Sequence, residues 1–246
     1  MKPQFSFTKE KFQTLERAKQ HKKCAELLRV FYGSASLPER QALAESYRSM
    51  LSWMALPIED ICQHSHKVVS DRYHRHLKEA GISLREHSFL LPTAADHSDA
   101  SPFLPVTVYL DRLRSCHNIG SIIRTTEAFR LGCVVMSSGM ADAAHAQVQN
   151  SAMGCTEWVS SHCVSSLAEL PRPIIALETM PEATAYYDFS FPECFTLAVG
   201  NEEYGCSDEL LAAADHFIHI PLYGRKNSLN VATAFAIVAA EIRKQV

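Results

Sequence analysis

VTVYLDRLRSCHNIGSIIRTTEAFRLGCVVMS, residues 106–137, holds two short, β-branched apolar runs separated by a loop that runs into a helix. Val106–Leu110 and Cys133–Ser137 have the composition of buried strands, too short and too apolar for surface helices. The same alternation continues downstream, with further strand candidates in PIIALE from Pro173, FTLAVG from Phe195 and HFIHIP from His216. Strand and helix in turn imply a parallel sheet covered on both faces. The last segment, from Ser228 to the C-terminus, is rich in Ala, Val and Ile and reads as a long helix packed on that sheet.

Upstream the chain changes character. Pro92, Pro102 and Pro105 bracket a polar string, AADHSDAS, that has no apolar period. Residues 91–105 are therefore expected to be a linker between a small helical domain, residues 1–90, and the α/β domain, residues 106–246. In the first domain Ser36–Glu39 has the form of a capping box with Pro38 near the first helical position. Leu43, Tyr47, Met50, Leu51 and Met54 follow at helical spacing, and Pro57 is expected to close that helix. A second helical stretch from Ile58 carries Ile61, Cys62, Val68, Val69, Tyr73 and Leu77 and ends at Gly81, a natural C-terminal stop.

A chain of 246 residues that is 47% hydrophobic is long enough for one good core and a small second domain, which excludes whole-chain disorder. No apolar run reaches the roughly 18 residues of a membrane span. The start, MKPQFSFTKEKFQ, lacks the apolar stretch of a secretion signal, so a cytoplasmic protein is expected. The eight cysteines contain no CxxC pair and read as reduced thiols. His64, His66, His74 and His76 crowd one stretch, yet HExxH and cysteine pairs at finger spacing are absent. A solvated or nucleic-acid-facing helix is preferred there, and no metal is expected.

The net charge of -3 argues against a uniformly basic nucleic-acid binder, but the charge is unevenly placed. Residues 1–90 hold 15 Lys plus Arg against 10 Asp plus Glu, leaving 9 against 17 for the remainder. A positive N-terminal segment suits the holding of a phosphate backbone beside an acidic body. A solvated helical face accounts for the same count.

In an open α/β sheet, ligands bind beyond the carboxyl ends of the strands. After the first strand, Asn118, Gly120 and Arg124 form an N-x-G-x-x-x-R pattern. Gly120 there lets the backbone turn closely, and Arg124 follows one helical turn later, although a surface ion pair also accounts for the arginine. After FTLAVG, the run G-N-E-E-Y-G sets Glu202 between Gly200 and Gly205, a strand tip suited to a flat ring or simply a turn. After HFIHIP, Ser228, Leu229 and Asn230 open the last helix. Ser228 or Asn227 would cap it, whereas Asn230, one turn inside, needs another use.

These three segments, in this order, closely resemble the three motifs of the SpoU (TrmH-like) branch of the SPOUT RNA ribose methyltransferases, over approximately residues 106–246. The resemblance implies S-adenosylmethionine as cofactor and an RNA ribose 2′-hydroxyl, in tRNA or rRNA, as methyl acceptor. It implies a doubly wound sheet with a C-terminal trefoil knot, a rare exception to the unknotted rule. A homodimer with its active site at or near the subunit interface is implied as well. Gly200, Ile220 and Leu229 fall where that family contacts the cofactor. Asn118, Arg124, Glu202, Ser228 and Asn230 match its polar active-site positions. MGCTEWVSSH, residues 153–162, is more similar to the tRNA-modifying members. The chain departs from the family at Ser115, where an acidic residue often stands three positions before the motif asparagine.

Two rival readings remain. A non-catalytic RNA-binding or assembly factor would keep the fold, but drift would be expected to erode some of the five polar positions. A nucleotide-binding oxidoreductase would need the G-x-G-x-x-G fingerprint, which follows none of the candidate strands.

Overall fold

The computed structural model describes residues 5, 7–58, 60–83, 90 and 101–246, and the chain divides into two compact units, Met1–His97 and Ser98–Val246. Most of the expected linker, residues 91–100, lies outside the described residues.

The first unit holds α1 (Lys9–Gln13), α2 (Arg17–Gly33), α3 (Leu37–Trp53) and α4 (His66–Glu79). Cys24, Leu27, Leu28 and Phe31 form one stripe along α2 and are buried with Tyr47, Met50 and Leu51 of α3 and Val69, Tyr73 and Leu77 of α4. Full burial stabilises each large apolar side chain by roughly 1.5–3 kcal/mol, so this stripe holds the unit together. Ser65 caps the start of α4. Its end is a Schellman motif, with Gly81 N–H donating to Lys78 O and Ile82 N–H to Leu77 O, both at 3.0 Å.

Three local expectations need correction. The capping box at Ser36–Glu39 does not form. Ser36 N–H donates to Ser34 Oγ at 3.3 Å and so no longer needs Glu39, whose carboxylate accepts from the Ser34 hydroxyl at 2.6 Å. The helix expected to reach Pro57 stops at Trp53, because Ala55 takes a left-handed backbone, φ 51°. The stretch from Ile58 breaks into a 3-10 turn, Ile61–Gln63, and α4, because Asp60 and Ser65 each cap a separate start.

The second unit is a seven-stranded, wholly parallel sheet. Its strands are β1 (Val106–Leu110), β2 (Gly132–Ser137), β3 (Ser161–Val164), β4 (Ile174–Leu177), β5 (Thr184–Ala185), β6 (Phe195–Val199) and β7 (His216–His219), in the order β3-β2-β1-β6-β4-β7-β5. Side chains alternate between two cores, as the two-residue period of a strand requires. Val106, Val108 and Leu110 of β1, with Phe195, Leu197 and Val199 of β6, pack under α5 (Cys116–Ala128), α6 (Ala146–Ala152) and α8 (Val231–Gln245). Tyr109, Val135, Ala176 and Ala198 face the other way, toward Leu210 of α7 (Asp208–Ala213). Both faces are covered, as the apolar runs implied. Sequence reading passed over β3 and β5, which are short edge strands without an apolar run.

Candidate active site

The carboxyl ends of β4, β6 and β7 open into a cleft of about 610 Å³, a size suited to a nucleoside-like ligand. Gly200, Ile220 and Leu229 line it, as do Glu202, Ser228 and Asn230. They come from the β6 tail, the β7 tail and the entry to α8, so the parallel sheet gathers three distant chain segments at one edge. Leu177 and Leu222 supply further apolar wall, while Glu178 and Glu202 make the lining acidic and Glu203 is paired with Arg114 at 2.7 Å.

Asn118 does not line the cleft but ties its walls together. Its Nδ2 donates to Glu202 Oε1 at 2.9 Å, and its Oδ1 accepts from Asn230 Nδ2 at 3.0 Å. Glu202 also accepts from the backbone N–H groups of Arg114 and Ser115, each at 3.0 Å. Partial burial pushes the Glu202 carboxyl up, and these hydrogen bonds outweigh it, leaving the group below its ordinary range. Glu202 is therefore a carboxylate near neutrality. It brings negative charge to the backbone at Ser115. Ser115 itself serves as N-cap of α5, accepting from Asn118 N–H at 3.3 Å.

Several expected roles change. Asn230 is the N-cap of α8, not a residue one turn inside it, because Val231 is the first helical residue. Its Oδ1 accepts from Ala232 N–H at 3.0 Å and Thr233 N–H at 3.2 Å, which leaves Nδ2 free to reach Asn118. Ser228 and Asn227 sit in the preceding loop, where they line the cleft instead of capping. Gly120 does not turn the chain. It lies within α5, where an added Cβ would fall 2.6 Å from Val148 O and 2.8 Å from Ala152 N, so its bareness lets α6 pack tightly. Gly200 likewise serves the turn behind it, since a Cβ would meet the backbone of Gly205 at 2.2 Å.

Arg124 stands apart from the cleft. It is exposed on α5, with Nη1 at 2.8 Å from the Met153 thioether sulfur, a weak acceptor, and it forms no ion pair with another described residue. Glu178 was missed in the sequence. It follows β4 directly and accepts from Thr179 N–H and Cys206 N–H, both at 2.8 Å, pinning the Gly200–Cys206 turn against the cleft. Only its place at a strand's carboxyl end pointed to it, since its neighbours carry no glycine or motif.

The chain matches the SpoU rRNA Methylase family over residues 105–240, more than half of its length. It is similar to the 23S rRNA (guanosine(2553)-2′-O)-methyltransferase of Bacillus subtilis, 33% identical over 139 residues that cover 54% of this chain and 56% of that protein. The tRNA (guanosine(18)-2′-O)-methyltransferase of Aquifex aeolicus is 30% identical over 146 residues, 56% of this chain and 68% of the relative. Among solved structures, the SpoU methyltransferase AviRb of Streptomyces viridochromogenes in complex with AdoMet matches with a TM-score of 0.53 and 26% identity, over 60% of this chain and 62% of that one. The Aquifex aeolicus TrmH/SpoU tRNA modifying enzyme gives a TM-score of 0.53 and 28% identity, over 58% and 76%. The chain spans about half the length of the first two curated relatives it matches. On the matched motifs and the shared sheet, the chain belongs to the SpoU rRNA Methylase family.

Proposed function

We propose that the chain is an RNA methyltransferase that uses S-adenosylmethionine and methylates a ribose 2′-hydroxyl in tRNA or rRNA. The observation that carries this reading is convergence: six of the eight residues singled out in the sequence line one cleft, and Asn118 bonds to two of them. Similarity to enzymes named as guanosine 2′-O-methyltransferases and to an AdoMet-bound structure supports it.

The cleft fits the cofactor chemically. Leu177, Ile220, Leu222 and Leu229 offer apolar wall for an adenine ring, and Glu178 and Glu202 offer negative charge to a cation. S-adenosylmethionine supplies an activated methyl group on a sulfonium. The chain's own tasks are to align the hydroxyl and to ease loss of its proton. A guanidinium makes a poor general base. Arg124 acts instead as an anion binder, steadying the adjacent phosphate or the developing alkoxide. Ser228 and Asn230 orient the ribose or the methionine end, and Glu202 holds the loop through its three donors. The homodimer belongs to the same reading, since Arg124 is exposed and outside its own chain's cleft. So do the C-terminal knot, RNA contacts by the basic N-terminal unit, and a cytoplasmic location. Among the described residues, no helix is long and apolar enough to cross a membrane, and no group of three His, Cys, Asp or Glu is placed to hold a metal ion.

The test is transfer of labelled methyl from S-adenosylmethionine to total RNA from a strain lacking the gene, followed by nuclease digestion. A 2′-O-methylated nucleoside is expected, lost in Arg124→Ala while cofactor affinity stays nearly unchanged. A large loss of cofactor binding in that variant contradicts the anion-binding role. Cofactor binding without transfer by the wild type favours the non-catalytic factor.

A further inference from the structure

The segment between β7 and α8, residues 221–230, contains PLYGRKNSLN, and every residue from Tyr223 to Asn230 is exposed. Tyr223 is 93% exposed, the most exposed of the large apolar or aromatic side chains described. A phenol ring held in water gains little for the fold and leaves its face open to a partner. Its hydroxyl lies near that of Tyr187, and the Tyr187 ring packs edge-on against Tyr186 at 5.1 Å between centroids. Tyr186 N–H in turn donates to His219 O at 2.9 Å, which fixes the pair to the end of β7. Arg225 and Lys226 follow two and three residues on, both exposed, and neither forms an ion pair with another described residue. Leu222 and Asn227, on either side of these three, line the cleft.

The cleft and its rim therefore differ in sign. Glu178 and Glu202 line the interior, while Arg225 and Lys226 stand exposed on the loop between the lining residues Leu222 and Asn227. An acidic interior suits a cationic cofactor, and a basic lip with an exposed ring suits a strand of phosphates and unpaired bases. We propose that Tyr223, Arg225 and Lys226 form an RNA-holding rim, in which Tyr223 stacks on an unpaired base near the methylated nucleotide and the two cations contact its flanking phosphates. The inference rests on the reading of the chain as an RNA methyltransferase and names the form of RNA it takes: unpaired at the cleft mouth. Tyrosine has few torsions to freeze, so stacking costs little order.

The test is filter binding of a mixed-sequence, single-stranded oligoribonucleotide and of the same strand in a duplex, alongside the methyl-transfer assay. Tyr223→Ala is expected to weaken single-strand binding by roughly 5- to 150-fold, the range of one lost base stack, and duplex binding less. Tyr223→Phe keeps the ring and should bind nearly as the wild type does. Arg225→Ala with Lys226→Ala should lower the slope of log affinity against log salt by about 1.4, two single-strand phosphate contacts. Wild-type binding that Tyr223→Ala leaves unchanged overturns the rim, as does absence of single-strand binding by the wild type. A change in sedimentation mass in Tyr223→Ala with RNA affinity intact assigns the face to a second copy and also overturns it. RNA binding that depends on Tyr223 without methyl transfer leaves the rim standing and defeats the enzymatic reading instead.

Discussion

The two units each contain a network of hydrogen-bonded polar side chains, and the two networks serve opposite ends. In the second unit, Asn118, Glu202 and Asn230 join positions 84 and 112 residues apart where the first turn of α5, the β6 tail and the entry to α8 meet. In the first unit, His21 Nδ1 lies 2.8 Å from His76 Nδ1 and Tyr47 Oη lies 2.9 Å from His76 Nε2, all inside the helical core. Water competes for the first network, so its bonds add little stability and their worth is the geometry they impose on the cleft. No water replaces a lost partner in the second, where an unpaired group bears its full desolvation cost. Disturbing one should change catalysis, and disturbing the other should change folding.

Acid gives the largest expected effect. Burial pushes the His76 imidazole down to about 4, with His21, Arg72, Arg75 and Arg17 pushing the same way, and burial and Arg17 lower His21 as well. The fold accepts the neutral rings, so the unfolded chain takes up protons first. Stability that is fully present above the unfolded value, roughly 6.5, is lost as pH falls toward 4, by up to about 3 kcal/mol for His76. Urea titrations followed by Trp53 fluorescence should show it, and a flat profile between those pH values would break the contrast. Next, Glu202→Ala removes the acceptor for three donors and should slow methyl transfer by roughly 100-fold through misplacement. Its stability change should stay within about 0.5 kcal/mol, as at an exposed site, measured by a urea titration followed by Trp158 fluorescence in the second unit.

Smaller effects sharpen the division. Tyr47→Phe leaves His76 Nε2 without its partner and should cost about 1–2 kcal/mol of stability, with transfer kinetics unchanged. Asn230→Asp preserves a good N-cap, so stability should shift by only a few tenths of a kcal/mol. The variant lacks the amide donor to Asn118, and its transfer rate should fall, though less than in Glu202→Ala. A cofactor titration beside the rate measurement separates a deformed cleft from a displaced ribose.

The buried histidine pair also shows where a local reading of sequence stops. His64, His66, His74 and His76 were expected on a solvated or nucleic-acid-facing helix, yet His76 turns inward because α2 and α4 pack together and bring His21 to it. Periodicity within α4 does not reveal a partner 55 residues earlier. Gly120 teaches the same lesson: its neighbours in sequence suggest a turn, whereas the reason for glycine is the α6 backbone.

What the sequence alone determined is the alternation of strand and helix, the parallel sheet, and the segments that meet at its edge. Those follow from composition and period over a few residues, which water and backbone sterics read locally. It also singled out Gly200, Ile220, Leu229, Glu202, Ser228 and Asn230 before their meeting in one cleft was known. Tertiary structure alone decided which of them bond to which, that Asn230 caps while Ser228 does not, that Glu178 braces the turn, and that Arg124 stays outside its own cleft. The physical reason is that a hydrogen bond is set by distance in space. Asn118 and Asn230 come within 3.0 Å only because two strand tails and a helix start share one edge of the sheet.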